Sequence, residues 1–284
     1  MKKIILPTLF ALSIILLSCE PGSTNHITLR VATYNLRMDT PNDSLDPWSS
    51  RKEMIKDLIQ FHDFDIFGTQ EGFKHQLDDI AELDKFSYVG VGRDDGENAG
   101  EHSAIFYKNN KFEVLEHGDF WYSETPDVPG KGWDATCCNR ICSWAYMKEK
   151  ESGKEFYFFN SHYDHEGEEA RKNSSKLLLS KISERKYDKP VFCTGDFNAT
   201  PDSEPIQVIY KEDLLKDSYL QSEQKPYGTE TTFNNFKVNH RKSSRIDYIW
   251  VTDDIRVLKY GTLNDIQYGH FPSDHFPVMI EAKF

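Results

Sequence analysis

The sequence predicts a mixed α/β fold. Short runs with two-residue apolar alternation are interleaved with helix-length segments whose apolar residues recur every three or four positions. Clusters of acids, amides and histidines stand where the strand-like runs end, and no low-complexity or Pro/Ser-rich linker divides the chain. With 284 residues and 38% hydrophobic content it can bury a substantial core as one large domain. No short fixed repeat is visible, which argues against a solenoid or propeller.

Taken in order, Ile27 to Asn35 alternates and reads as a strand. Ser49 or Ser50 is placed to cap a helix running to about Phe61, with Met54, Ile55, Leu58 and Ile59 at helical spacing. Asp65 to Thr69 is a short strand ending at Glu71, and Lys74 to Leu83 a helix. Strands follow near Phe86–Val91, Ser103–Tyr107 and Lys111–Glu116. Trp121 to Asp134, rich in Pro, Gly and aromatics, reads as a long loop. Strands Arg140–Lys148 and Glu155–Asn160 flank a turn at Lys150–Gly153. Glu166 to Tyr187 is a helix with Leu177, Leu178 and Ile182 inward. Pro190–Thr194, Ile246–Val251, Ile255–Leu263 and Pro277–Phe284 complete the strands.

The polar clusters are TYNLR (33–37), TQE (69–71), NSHYDH (160–165), GDFNA (195–199), RIDYIW (245–250) and SDHFPV (273–278). Hydrolysing a phosphoester needs a divalent cation on the non-bridging oxygens, a base for water and neutral donors for the phosphoryl group. Glu71, Asp196 and Asp274 suit a hard ion such as Mg²⁺, which prefers oxygen ligands. Asn35 and Asn198 can donate to phosphate without adding negative charge. His275 suits a base near neutrality, with an unperturbed pKa of about 6.5. Asp247 can orient it from another strand.

From about Leu29 to the C-terminus these motifs, in this order, resemble the endonuclease/exonuclease/phosphatase superfamily. That superfamily includes DNase I-like nucleases, apurinic endonucleases, inositol-polyphosphate 5-phosphatases, neutral sphingomyelinases and CCR4-type deadenylases. Each motif alone is weak; their common order is the specific signal. The resemblance implies a four-layer α/β sandwich, two mixed sheets face to face with helices outside, where periodicity alone supports only mixed α/β. It implies that Asn35 organises phosphate and metal, that Glu71 is the principal ligand of Mg²⁺ or Mn²⁺, and that Asp274 completes the metal environment. His162 would stabilise the phosphoryl oxygens, and Asp196 with Asn198 would position water and phosphate. Asp247 would pair with His275. Which of Asp196 and His275 takes the proton from water is left open, with Asp196 favoured for positioning or activating the water.

Specificity falls to the long loop. Gly132-Trp133-Asp134-Ala135 followed by Asn139-Arg140 looks like a bacterial branch of the superfamily, and Arg93 and Trp121 also lie in variable parts. Arg140 can clamp phosphate as a planar donor. Trp133 reads either as a stacking surface for a base, sugar or inositol ring or as a side chain packed beneath the loop. Asp164 and His165 read as capping or supporting residues, Glu166, Glu168 and Glu169 as the acidic first turn of a helix. His270 reads as an exposed side chain or one that reaches the site from the loop before SDH.

Lys2 and Lys3 precede an apolar run, Ile4 to Leu17, too short to span a membrane comfortably, and the pattern ends at Leu16-Leu17-Ser18-Cys19. This reads as a bacterial lipoprotein signal over residues 1–18, with Cys19 lipidated and residues 19–26 a tether to a domain over 27–284. The expected setting is the cell envelope, outside the cytoplasm. Removing residues 1–18 takes away Lys2 and Lys3, so 32 basic residues face 46 acidic ones, a net of −14. Long nucleic acids should be repelled, because polymer-binding nucleases need a basic stripe and none is visible. The best basic cluster, Asn239 to Arg245, reads equally as a solvated hairpin or a rim for an anionic headgroup.

An exported location permits disulfides. Cys193, inside the apolar run VFCTGD, reads as a buried free thiol. Cys137 or Cys138 stands open to bridging Cys142 or to staying reduced; their spacing is poor for zinc.

Three functions remain: a Mg²⁺-dependent phosphomonoesterase or phosphodiesterase on a small or lipid-linked substrate, a secreted nuclease, and a non-catalytic surface binding lipoprotein. No protein partner is implied. The intact polar set argues against the last, and the strings of a calcineurin-like phosphatase are missing.

Overall fold

The computed structural model describes residues 26–240 and 244–284. Residues 1–25, with the expected lipoprotein signal and Cys19, and residues 241–243 of the basic cluster lie outside the described residues. Among the described residues no helix is long and apolar enough to cross a membrane.

Two six-stranded sheets carry the fold. The first runs β11 (Arg256–Thr262), β12 (Val278–Lys283), β1 (Thr28–Asn35), β2 (Ile66–Gln70), β4 (Ile105–Lys108) and β3 (Phe86–Val89). The second runs β5 (Phe112–Trp121), β6 (Ile141–Glu149), β7 (Glu155–His162), β8 (Val191–Asp196), β10 (Asp247–Val251) and β9 (Lys216–Asp217). Each holds one parallel pair, β1 with β2 and β7 with β8, among antiparallel neighbours, so both are mixed.

Period-two alternation sorts the side chains into layers. Leu29 and Val31 of β1 join Phe156, Phe158, Phe192 and Ile249 in one buried cluster between the sheets. Ala32 and Tyr34, on the opposite face of β1, pack with residues of α1 (Trp48–Phe61) and α2 (Lys74–Ala81). Tyr157, Cys193 and Trp250 pack with α3 (Glu168–Ser183) and α4 (Glu204–Glu212) on the far side of the second sheet. Helix, sheet, sheet, helix is the four-layer sandwich that the family resemblance implies.

The inward-facing set, followed along each strand, changes from hydrocarbon to polar. It becomes Thr33 and Asn35 on β1, Gln70 on β2, Asn160 and His162 on β7, Thr194 and Asp196 on β8, and Asp247 on β10. A layer of buried hydrogen bonds separates core from site. Gln70 Nε2 donates to Asn160 Oδ1 at 2.7 Å, Asn160 Nδ2 to the carbonyls of Thr69 (2.8 Å) and Ala104 (3.0 Å), and Thr194 Oγ1 to Asn160 Oδ1 (3.0 Å). Gly68 is required here, since a Cβ would lie 2.2 Å from Asn160 Oδ1. Fully paired networks of this kind fix one arrangement of a core.

Several element bounds differ from the sequence reading. The first helix starts at Trp48 behind Pro47, not at a serine cap. β5 runs on to Trp121, which pairs with Ile141, so the loop begins one residue later. α3 is shorter at both ends; the Asp164 carboxylate accepts from the amides of Glu166 (2.9 Å) and Gly167 (2.6 Å), holding a turn before the helix. α4, β9 and α5 (Ser218–Gln221) had not been anticipated.

Candidate active site

Strand register brings the motifs together. Asp196 lies between His162 of β7 and Asp247 of β10 across the second sheet. Asn35, at the end of β1, reaches over from the first sheet, and its Nδ2 donates to Asp196 Oδ2 and Glu71 Oε1, each at 3.0 Å. Glu71 follows β2 directly and Asn198 stands two residues past the end of β8, and both have left-handed backbones (φ 64° and 46°). Non-glycine residues in that region are uncommon and gather at functional turns. The loop with Asp274 and His275 is tied down by Ser273, whose hydroxyl donates to the Asn35 carbonyl at 2.6 Å. Buried Arg51 donates to the carbonyls of Leu36 and Pro272, both 2.8 Å, stitching the TYNLR and SDH loops together.

Glu71, His162, Asp196, Asn198, Asp274 and His275 line a cavity of about 510 Å³ together with Arg37, Arg93, Glu101, Arg140 and Phe233. A larger groove of about 660 Å³, bordered by Phe61 and Tyr227, holds none of them.

His275 Nδ1 is 2.9 Å from Asp247 Oδ2, and its Nε2 is 3.8 Å from Asp196 Oδ2. Burial works to lower its pKa, but the Asp247 carboxylate, with Asp196 and Asp274, holds it well above the usual histidine value. His162 Nε2 is also 3.8 Å from Asp196 Oδ2. Its environment is opposite: burial, then the charges of Arg140 and Arg93, push it well below the usual value. The surroundings therefore favour the protonated form of one imidazole and the neutral form of the other, on either side of one carboxylate.

A divalent cation fits the acidic end. Glu71, Asp196 and His275 offer ligand atoms within 4.8 Å of one another, and Glu71 and Asp196 are the oxygen donors of that group, while His275 Nδ1 is engaged by Asp247. Burial and the nearby Asp247 charge raise Asp196 to about 7; burial raises Asp274 to about 6. Asp274 Oδ1 is buried without a hydrogen-bond partner. Carboxyls crowded in this way are relieved by a cation. Asn35, read from the sequence as sharing the metal, accepts the Arg37 amide on its oxygen (3.0 Å) and turns its NH₂ group to the Glu71 and Asp196 carboxylates.

At the other end, Arg140 is buried, with Nη1 3.1 Å from His162 Nε2 and Nη2 2.7 Å from His165 Nδ1. Only its Nε meets a carboxylate, Asp164 at 3.4 Å. Asp164 and His165 thus cap and support, as read from the sequence. Asn198 donates from Nδ2 to the Tyr163 carbonyl (3.1 Å).

Trp133 does not line the cavity; it is half-buried against the outer aromatic cluster. His270 is exposed and paired with Asp46 at 2.9 Å. Arg245 is no rim residue either, being buried, paired with Asp217 at 2.6 Å and stacked over Tyr219. Cys137 and Cys138 bridge each other, while Cys142 and Cys193 are buried free thiols.

Sequence reasoning missed Glu101. It is buried, pairs with Arg93 at 2.6 Å, and lies 3.6 Å from His162 Nδ1, so it stands behind that ring as Asp247 stands behind His275. Its segment, GENAGEHS, looks like a solvated acidic turn and gives no local signal. Arg37, of the TYNLR motif, lies 3.8 Å from both Glu71 and Asp274.

Residues 32–275 match the model of the Endonuclease/Exonuclease/phosphatase family. An endonuclease/exonuclease/phosphatase family protein from Bacteroides thetaiotaomicron superposes with TM-score 0.88 at 47% identity, covering 91% of this chain and 96% of that one. A mannosyl-6-phosphatase of Bacteroides thetaiotaomicron VPI-5482 gives TM-score 0.87 at 47% identity, covering 90% and 100%. A CCR4-Not complex 3'-5'-exoribonuclease subunit from Mycosarcoma maydis is 25% identical over 91% of this chain, which spans about half (49%) of that protein. The chain therefore belongs to the endonuclease/exonuclease/phosphatase family, a family of phosphoester hydrolases.

Proposed function

We propose that this protein is a Mg²⁺- or Mn²⁺-dependent phosphomonoesterase acting on a small sugar phosphate at the cell envelope. The observation that carries the monoester reading is Arg140. A buried guanidinium whose Nη atoms meet only imidazoles is a receptor for the second charge of a monoester dianion, which a diester lacks. The sugar class is supported by the 47% identity to a mannosyl-6-phosphatase. The envelope setting, with Cys19 as lipid anchor, rests on the leader pattern alone.

Glu71 would hold the cation as its principal ligand, with Asp274 beside it. When bound, it would polarise the phosphoryl oxygens. Asp196 Oδ2, equidistant from the two imidazoles, accepts a hydrogen bond from the attacking water and takes its proton. His275, whose pairing with Asp247 favours the imidazolium, sets a positive charge beside the phosphoryl oxygens as the water oxygen bonds to phosphorus and the ester oxygen departs with its bonding pair, taking a proton from solvent water to leave as the alcohol. Asn35 holds Glu71 and Asp196 in place, and Asn198 turns the strand end so that its own amide fixes Asp196 Oδ1 at 2.9 Å.

The nuclease alternative draws on the exoribonuclease relative, but a net charge of −14 after removal of the leader opposes polymer binding. The deciding experiment is a panel of sugar phosphates, inositol phosphates, sphingomyelin, mononucleotides and oligonucleotides, each with Mg²⁺ and with EDTA. Sugar monophosphates should lead, and only with metal. An oligonucleotide turned over faster than every small monoester would replace this reading.

A further inference from the structure

The cavity lining is charged or polar apart from Met38, Phe233, Ile246 and the Cys137–Cys138 disulfide. The disulfide stands out because nothing in the catalytic arrangement uses it, yet it is held firmly at the cavity wall. Before it, the Asp134 carboxylate accepts the Ala170 amide at 2.7 Å and the Thr136 hydroxyl donates to Glu166. After it, Asn139 Nδ2 donates to the Arg93 carbonyl at 3.1 Å, and Arg140 is fixed on His162 and His165. The chain is pinned on both sides, so the two sulfurs have a defined place beside the phosphate end of the cavity.

A disulfide offers a polarisable surface with almost no hydrogen-bonding capacity. In a cavity otherwise built to bind charge, such a patch is satisfied by a ligand's C–H surface and poorly by water. A pyranose ring has one such face, with hydroxyls around its edge. Resting on the phosphomonoesterase reading, we propose that the Cys137–Cys138 disulfide is a specificity-determining wall that packs against the C–H face of the sugar ring while Arg140 holds the phosphate. It acts on recognition of the organic group and takes no part in the chemical step.

The test compares mannose 6-phosphate with glycerol 2-phosphate, a monoester without a ring, in wild type, Cys137→Ala/Cys138→Ala and Cys137→Ser/Cys138→Ser. The serine pair keeps side-chain size while replacing apolar sulfur with hydroxyl, and it decides the matter should the alanine pair not fold. Loss of a small apolar contact in a pocket costs about tenfold. KM for mannose 6-phosphate should therefore rise about tenfold in both variants with kcat unchanged, while glycerol 2-phosphate kinetics stay put. Equal losses on both substrates, or none on either, would overturn the proposal while leaving the phosphomonoesterase reading intact. A wild type that hydrolyses glycerol 2-phosphate but no hexose phosphate would remove the sugar class and this inference with it.

Discussion

Asp247 and His275 share a 2.9 Å hydrogen bond, and both side chains are buried with the far ring nitrogen turned toward Asp196. A buried carboxylate behind one nitrogen fixes the ring's orientation and favours its protonated form. His275→Ala should lower kcat by about 10²–10⁴-fold, the usual worth of such a group. Asp247→Ala should do nearly as much without abolishing metal binding, and the double variant should lose little more than His275→Ala, because the pair acts as a unit. Simple multiplication of the two losses in steady-state kinetics would separate the residues.

The same pair sets a pH dependence. His275 is held well above its ordinary value, chiefly by Asp247 against the effect of burial. Activity that needs the imidazolium is present at lower pH and falls as pH rises through that raised value. In Asp247→Asn the counter-charge is gone, so the alkaline limb of the kcat profile should move to lower pH. The stability contributed by the raised pKa follows the same sign, full below the unfolded value of about 6.5 and lost above the folded one. A limb that stays in place would detach it from His275.

Glu71 has its Oε1 on Asn35 and its Oε2 on the Met38 amide at 3.1 Å, so its carboxylate is already aimed. Metal-stripped protein in EDTA should be inactive and recover with Mg²⁺ or Mn²⁺. Glu71→Gln should lose most activity while keeping its fold by circular dichroism. Full turnover after stripping would rule out the metal role.

The acidic surface predicts a poor nuclease. With a net charge of −12, or −14 should the expected leader be removed, duplex DNA should be cut far more slowly than a small monoester at physiological salt. Comparable rates on the two substrates would contradict this.

The leader predicts cleavage before Cys19 and partition with membranes. Cys19→Ala should give an unlipidated protein, read by mass spectrometry and fractionation. Wild type found soluble and unmodified would exclude the anchor.

Much of the fold and site was legible because strand periodicity and motif order carry it. Asn35, Asp196 and Asp247 fall on inward positions that alternation alone assigns, and the family order supplied the sandwich. What was hidden depends on distant contacts. Glu101 gains its place from His162, far along the chain, and from Arg93 across the intervening loop, and Arg245 is drawn inward by Asp217 and an aromatic face that a local basic cluster does not reveal. α4 did leave a trace: Ser203-Glu204-Pro205 opens it, and Ile206 and Ile209 are its buried face. Trp133 shows the opposite failing, since an aromatic in a variable loop suggests stacking whether it faces ligand or core.

On the proposed function, Arg140 makes this site a reader of phosphomonoesters. The measurement is the ratio of kcat/KM for mannose 6-phosphate to that for its methyl phosphodiester, with Mg²⁺, in wild type and Arg140→Gln. The expected result is a strong wild-type preference for the monoester that shrinks by about tenfold or more in the variant, through a rise in monoester KM, in keeping with loss of a charge-assisted pair. Equal wild-type rates on the two esters, or a preference unchanged by Arg140→Gln, would contradict it.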